Sequence, residues 1–543
     1  MNGARILIET LAENGVDTIF GYPGGAVLNI YDELSAFKDR IRHILVSHEQ
    51  HAVHAADGYA RVTGKAGVCL ATSGPGATNL VTGLATAFAD SVPVVAITGN
   101  VAIGQLGKDC FQEVDIAGIT MPVVKHNWIV KDARDLAEIV REAFFVALSG
   151  RPGPVLIDIP ADVCKGSGQW TVDSGQRAGR LFEKNRRHTF RNEDIDRAVL
   201  LIKDSKRPLI FAGGGVNNSG AGEDLKKFAE LLNAPVTLSL MGMGAFPSEH
   251  PLCTGLVGKH GTVASAKALQ NADLIIAIGA RFSDRVINGR NFAKNAKILH
   301  VDIDPAEINK NILTDAFIIG DLKTVLNTLT CGLIKKLPAK KSAQWTGEME
   351  KYKTQGYKTS ARFLHPRFII QETAKVSGEN TIVATDVGQH QIWTAQFYPF
   401  KKPRSFLSSG GMGTMGYGLG AAIGAKIASP ASAVVLFTGD GSFCMNSAEM
   451  ATLVKYKLPV LIIVFNNSTL GMLRLWQKKS FSANYYETDL ENPDFVKLAD
   501  AYGIQGFRVT DEKSFLQALE KSRGILASGK PALIEVIINK NIT

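Results

Sequence analysis

Two short motifs in this sequence carry residue types that do chemistry together: Gly439-Asp440-Gly441-Ser442 and Asn466-Asn467. Each follows an apolar run, 433–437 and 460–465, that reads as a buried strand. Neighbouring parallel strands deliver their carboxyl ends to one edge, where open α/β sheets bind ligands. Asp440 offers a carboxylate oxygen, Asn467 an amide oxygen and Thr469 a main-chain carbonyl. Mg²⁺ takes about six hard oxygens and is commonly shared between carboxylates and phosphates. Gly439 and Gly441 would let main chain approach a diphosphate, and Ser442 would donate from a helix start. Asn446 and Glu449 have the spacing of a capping box, which places a helix start there. Gly-Asp-Gly alone reads as a surface turn. The two motifs at two strand ends instead read as a Mg²⁺–diphosphate grip.

The elements that must hold this grip follow an α/β rhythm. Runs at 16–20, 41–46, 67–71, 92–98 and 155–159 read as strands, with helix patterns at 50–61 and 79–89 between them. A second block has strands at 208–211, 274–278 and 298–303, and a third at 381–385, 433–437, 460–465 and 532–538. The expected fold is α/β, with three domains of central parallel sheet flanked by helices. Their expected limits are 1–170, 190–335 and 365–543. Polar, basic linkers are expected near 165–189, with Arg180, Lys184, Arg186 and Arg187, and at 335–364, with Lys335, Lys336, Lys340, Lys341, Lys351, Lys353 and Lys358. The first and third blocks echo each other. Ser73-Gly74-Pro75-Gly76 leads through a small-residue helix to 93–99, and Ser409-Gly410-Gly411-Met412-Gly413 leads likewise to 434–439. Two related domains around a different one explain this, as does chance likeness of Gly-rich turns.

Composition excludes several classes. The 543 residues are 45% hydrophobic and 20% charged, ordinary for a globular chain. The net charge of +9 sits largely in the two basic stretches without interleaved aromatics, which argues against a nucleic-acid face. Six scattered cysteines form no C-x-x-C pair, so neither a disulfide framework nor a zinc site is expected, and a reducing cytosol fits. The start reads directly as a helix at 4–14 without leader character, and no apolar run reaches the ~18 residues of a membrane span. A cytoplasmic location is expected.

Further motifs extend the picture: Gly21-Tyr22-Pro23-Gly24-Gly25-Ala26, His48-Glu49-Gln50, Ser73-Gly74-Pro75-Gly76-Ala77-Thr78-Asn79-Leu80, Phe111-Gln112-Glu113-Val114-Asp115, Lys125-His126-Asn127, Gly388-Gln389-His390-Gln391, residues 410–418, Gly471-Met472 and Trp476-Gln477. Over nearly its whole length the sequence resembles the catalytic large subunits of acetohydroxyacid (acetolactate) synthase, a thiamine diphosphate-dependent family. The resemblance implies two thiamine-diphosphate-binding folds around a Rossmann-like middle domain. The first domain would take the pyrimidine, the middle one a structural FAD, and the third the diphosphate and Mg²⁺.

By that resemblance Gln389, His390, Gly441, Ser442, Gly471 and Met472 contact the diphosphate, Met415 holds the cofactor bent, and main chain at Gly413 and Met445 bonds the aminopyrimidine. Asp440, Asn467 and Thr469 hold the metal. Glu49 is the catalytic carboxylate. A Glu at a helix start is otherwise favoured by the helix dipole. Bonded to the pyrimidine N1′, its carboxyl would favour the imino tautomer whose 4′-nitrogen takes the C2 proton, so the cofactor performs the hard chemistry. Gly25, Phe111 and Gln112 complete the catalytic set. Arg285 would bind the acceptor carboxylate with its fork of donors, and Trp476 would wall the pocket in favour of 2-oxobutyrate. In the middle domain, Phe211-Ala212-Gly213-Gly214-Gly215 and Ile278-Gly279-Ala280-Arg281 alone are weak dinucleotide signals. The resemblance assigns FAD contacts to Arg151, Gly213, Gly214, Gly215, Thr237, Leu238, His260, Gly279, Arg281, Arg285, Val286, Asp302, Ile303 and Asp321.

The implied reaction decarboxylates pyruvate and transfers its hydroxyethyl unit to a second 2-oxo acid, pyruvate or 2-oxobutyrate. It is the first shared step of valine, leucine and isoleucine synthesis. The implied assembly is a homodimer or dimer of dimers with the active site between subunits, with a possible separate regulatory small subunit. Alternatives are another thiamine diphosphate-dependent pyruvate decarboxylase or oxidase, or an inactive cofactor-binding homologue. The adjacent His-His pair of the decarboxylases is absent from all eleven histidines. Ser283, Lys259, Ala161 and Gly420 depart from the family's usual acidic residue, Met, Lys and Pro. The first touches a flavin contact, and the next two touch the expected substrate channel.

Overall fold

Apolar β-branched runs that are buried on both faces give parallel strands covered by helices, and this chain builds three such sheets of six strands. The computed structural model describes residues 1–172, 190–287, 292–334, 343–353 and 364–542. The first sheet contains β1 (Thr18–Gly21), β2 (Arg42–Leu45), β3 (Gly67–Ala71), β4 (Val94–Asn100), β5 (Asn127–Ile129) and β6 (Val155–Pro160). The middle sheet contains β7 (Pro208–Ala212), β8 (Val236–Leu238), β9 (Cys253–Leu256), β10 (Leu274–Ile278), β11 (Lys297–Asp302) and β12 (Ala316–Ile319). The third contains β13 (Thr381–Thr385), β14 (Phe406–Leu407), β15 (Ala433–Gly439), β16 (Val460–Asn466), β17 (Gln505–Val509) and β18 (Ala532–Ile537).

The first sheet runs β2-β1-β3-β4-β6-β5 and the third β14-β13-β15-β16-β18-β17. Numbered within each sheet, these are the same order. The middle sheet, β12-β11-β10-β7-β8-β9, is a doubly wound order that reverses between β7 and β10. The α/β class and the likeness of the outer sheets therefore hold. The residues that suggested the likeness, however, sit one strand out of step. Ser73–Gly76 lies in the β3-to-β4 crossover, whereas 409–413 lies between β14 and β15. Glycine-rich turns from a strand end into a helix recur in parallel sheets, so turns from different crossovers look alike.

Two compact units emerge, one holding the first and third sheets and the other the middle sheet. In the first unit the helices Glu49–Thr63 and Gly418–Ala428 meet main chain to main chain. A Cβ on Gly58 would stand 2.3 Å from the Ala421 carbonyl, and one on Gly424 1.9 Å from that of Ala55. Gly420 abuts the His54 side chain, 2.8 Å from its own Cβ position. Phe20, Ile44 and Ala52 join Leu436, Ile462 and Phe443 in one apolar core. Each of the fully buried Phe, Ile and Leu side chains among them contributes at most about 1.5–3 kcal/mol.

Two expectations need correction. The stretch after 335 is not all solvated linker. Helix Ala343–Lys353, which carries Lys351 and Lys353, packs Trp345 and Met349 into the middle core, and the Trp345 indole donates to the Pro208 carbonyl at 3.0 Å. Arg180, Lys184, Arg186, Arg187, Lys335, Lys336, Lys340, Lys341 and Lys358 lie outside the described residues. The capping box is absent too. The helix already runs Asp440–Asn446 and the Asn446 side chain makes no cap bond. Its amide instead donates to the buried Asp386. Among the described residues no helix is long and apolar enough to cross a membrane.

Candidate active site

The strand ends of β13, β15 and β16 lead into Asp386 to His390, Asp440, and Asn466-Asn467. Glycines show how close these groups come. A Cβ on Gly471 would lie 2.0 Å from Gln389 Oε1 and 3.1 Å from Asn467 Nδ2. One on Gly439 would lie 2.9 Å from His390 Nδ1, and one on Gly441 3.8 Å from Met415 Cε. The Met445 Cβ is 3.2 Å from the same position on Gly416. The fold thus gathers Gln389, His390, Met415, Gly441, Met445, Asn467 and Gly471 around one edge.

Asp440 is buried, and its two oxygens accept bonds from the Gly441 N–H and the Asn492 amide, both at 2.9 Å. Burial raises its pKa, against the pull of N–H donors led by Asn492. No cationic side chain pairs with it among the described residues. A buried carboxylate with N–H support and no counter-ion is suited to a metal cation. Asn467 Oδ1 accepts the Thr469 N–H at 3.1 Å. The Thr469 hydroxyl donates to Thr488, which leaves its main chain for a ligand. Ser442 likewise spends its hydroxyl on the Val387 carbonyl, so its contribution at the helix start is the main-chain N–H. Gln389 donates to the Ile542 carbonyl while its Oε1 is buried without a partner, an orphan acceptor that a bound N–H or O–H donor would satisfy. Burial lowers His390 to about 3, so it acts as a neutral imidazole.

Sequence reading missed Asn492 and Asp386. Asn492 bridges Asp440 and the Asn466 side chain, and Asn466 donates onward to Glu535, which Arg508 holds at 2.7 Å. Asp386, fully buried, accepts from Gly418, Thr438 and Asn446 and ties the ends of β13 and β15 to two helices. Neither stands in a motif whose spacing predicts a role.

At the edge of the first sheet, Glu49 opens its helix after β2, with His48 as N-cap. Its Oε2 accepts from Asn79 at 2.9 Å, and its Oε1 is 3.3 Å from the Cβ position of Gly76. Asn79 is a further residue missed as a partner, although it lies within the Ser73–Leu80 motif. Glu49 makes no hydrogen bond to Asp440 or Asn467 among the described residues. Gln112 has φ +58°, and its main chain packs against Gly74. Phe111 is 88% exposed and Gly25 is open. Met472 and Trp476 lie on the helix Gly471–Ser480, with Trp476 37% exposed. The loop carrying Gly413 (φ +69°) precedes the helix from Gly418.

In the middle sheet, Gly213 and Gly279 flank the point where strand order reverses, between β7 and β10. A Cβ on Gly213 would sit 2.1 Å from the Gly279 carbonyl, and one on Gly215 2.8 Å from the Gly279 Cα, so these glycines first serve turn-to-turn packing. Gly214 faces Met241. Asp302 ends β11, and its Oδ1 accepts the Asp304 N–H. Asp321 accepts the Thr324 N–H, and Ile303 follows Asp302. The Thr237 hydroxyl is taken by Gly255 and Ser265, and Leu238 and Val286 are buried. The His260 carbonyl accepts from Gln396. Arg285 is 59% exposed beside Asp284, and Arg281 is half-buried. Arg151, in the other unit, donates to Ser91 at 2.7 Å.

Family models described as thiamine pyrophosphate enzyme N-terminal TPP binding domain, central domain and C-terminal TPP binding domain match residues 1–119, 195–329 and 386–536. A probable acetolactate synthase large subunit of Methanocaldococcus jannaschii is 46% identical, over 99% of this chain and 92% of that protein. An acetolactate synthase of Mycobacterium bovis is 45% identical over 99% and 88%. An acetolactate synthase large subunit of Buchnera aphidicola subsp. Schizaphis graminum is 42% identical over 99% and 95%. Full-length identity at this level, on three matching domains, makes this chain a member of the acetolactate synthase large-subunit family of thiamine pyrophosphate enzymes.

Proposed function

We propose that this chain is the catalytic subunit of an acetolactate synthase. It decarboxylates pyruvate and transfers the hydroxyethyl unit to pyruvate or 2-oxobutyrate, for branched-chain amino acid synthesis. The observation that carries the site assignment is Asp440, buried at one sheet edge beside Asn467 and with no cationic partner among the described residues. Asp440, Asn467 and the Thr469 carbonyl would hold Mg²⁺. Gln389, neutral His390, Gly471, Met472 and the N–H groups of Gly441 and Ser442 would bind the diphosphate. Met415, Gly413 and Met445 would seat the ring system. Thiamine diphosphate, when bound, supplies the electron sink for decarboxylation. Glu49, oriented by Asn79, holds a proton at the pyrimidine N1′ position. Gly25, Phe111 and Gln112 would border the reacting atoms and exclude water.

The same reading has the site completed by a second copy, in a homodimer or dimer of dimers. The open Phe111 supports the same reading. A structural FAD would lie at the reversal point of the middle sheet, on Arg281, Arg285, Asp302, Asp321 and the Gly213 turn. Domain limits at 1–170, 190–335 and 365–543, a cytoplasmic location and a separate small subunit belong to the same reading. Assaying acetolactate, acetaldehyde and hydrogen peroxide separately from pyruvate tests it. Acetolactate is the expected main product, and acetolactate as a trace product overturns the proposal.

A further inference from the structure

Two buried carboxylates outside the site cross between the first and third sheets, one in each direction. Glu449 lies in the β15-to-β16 crossover, with Oε1 accepting the N–H groups of Ser47 at 2.8 Å and His48 at 3.1 Å. The same oxygen is 3.1 Å from His51 Nδ1, and Oε2 accepts the Thr452 hydroxyl at 2.6 Å. Two flanking bonds follow: the Ser47 hydroxyl donates to Ala448 and the Leu45 N–H to Tyr456. The gripped main chain is the pair of residues immediately before Glu49.

Asp90 lies in the β3-to-β4 crossover, the topological match of the first. Its oxygens accept the N–H groups of Gly410 at 3.0 Å and Gly411 at 2.7 Å. Arg61 donates to Asp90 at 3.0 Å and to Asp57 at 2.6 Å, and Asp57 accepts the Tyr417 hydroxyl at 2.6 Å. The Thr86 and Thr414 hydroxyls meet at 2.6 Å. Here the gripped main chain leads into Gly413 and Met415. In both halves the held segment leaves the second strand of its sheet, β2 or β14, and enters one of the two helices packed together.

We infer that Glu449 and Asp90 are reciprocal positioning residues. Each fixes, from the opposite sheet of the same chain, the main chain that carries one half of the site: Glu449 the Glu49 arm, and Asp90 the Gly413–Met415 arm. Paired N–H bonds to a buried carboxylate are charge-assisted and hold two adjacent peptides at once. A displacement of about 1 Å at a reacting group costs on the order of 10²-fold in rate. The inference rests on the proposed roles of Glu49, Gly413 and Met415.

The test uses the full chain with Mg²⁺ and thiamine diphosphate, and two readouts: deuterium exchange at the cofactor C2, and cofactor affinity from tryptophan fluorescence. Glu449→Ala is expected to slow exchange about 10²-fold at saturating cofactor with affinity unchanged. Glu449→Gln, whose amide oxygen still accepts both N–H groups, recovers most of the loss. Asp90→Ala is expected to weaken cofactor binding about 10–100-fold, the size of effect seen when supporting bonds at a bound group are lost. Parallel changes of both readouts in both variants, or a fall in melting temperature alone, overturn the inference. If an alanine variant fails to fold, Glu449→Asp and Asp90→Glu shift each carboxylate by one methylene and carry the same opposed expectations. Wild-type chain that neither binds the cofactor nor exchanges its proton refutes the site reading itself. Binding wild type with unmoved variants refutes only the positioning roles.

Discussion

At the carboxyl edge of the first sheet Glu49 stands at a helix start with one amide partner, Asn79. At the matching edge of the third sheet Asp440, Asn467, Gln389 and His390 crowd together over glycines that leave room for nothing larger. Behind them runs a chain of bonds from Asn492 through Asn466 and Glu535 to Arg508. Strand order is the same in both sheets. Order fixes where loops arrive, and loop chemistry then differs between the two edges, one proposed as the cofactor anchor and the other as the proton-handling side.

The comparison can be broken from either side. Glu49→Gln should lower kcat/KM for acetolactate by about 10²–10⁴-fold while leaving cofactor affinity intact, because only the proton-handling edge is altered. An equal loss of cofactor binding would show that Glu49 is part of the anchor. Asn492→Ala removes the amide that fixes Asp440 Oδ2 and should weaken Mg²⁺ binding about 10–100-fold, measured by calorimetry with the cofactor present. Unchanged metal affinity would confine Asn492 to packing. Gly424→Ala drives a Cβ into the Ala55 carbonyl of the helix pair shared by both edges, so stability should fall by about 1–3 kcal/mol in denaturant titrations. A neutral result would mean that the two helices part easily. Trp476→Ala should shift the product ratio away from the 2-oxobutyrate adduct by about 10-fold, the worth of a methylene in an apolar wall. A constant ratio from mixed substrates would remove Trp476 from the specificity pocket.

The fully buried strands were legible because continuous apolar runs have few other uses: 67–71, 274–278 and 381–385 coincide with β3, β10 and β13. Of the strands passed over, β5, β8, β9, β12, β14 and β17, all but β17 are shorter than these, and all but β8 stand at sheet edges. Edge strands are covered less completely, and Gln505 and Arg508 in β17 show the mixed composition that results. Asn446 and Glu449 mark the clearest misreading. Their spacing is that of a local cap, yet one serves Asp386 and the other the start of a helix about 400 positions away in sequence.

By itself the sequence determined the α/β class and the residues at the two strand ends that are proposed to form the metal–diphosphate edge. These depend on local periodicity and on turns adjacent to strands. Only the tertiary structure decided that the first and third sheets share one core, that Asn492 and Asn79 orient the two acidic groups, and that Glu449 and Asp90 reach across to the opposite sheet. Such contacts join positions distant in the chain through one hydrogen bond or one missing Cβ. No short-range pattern encodes them.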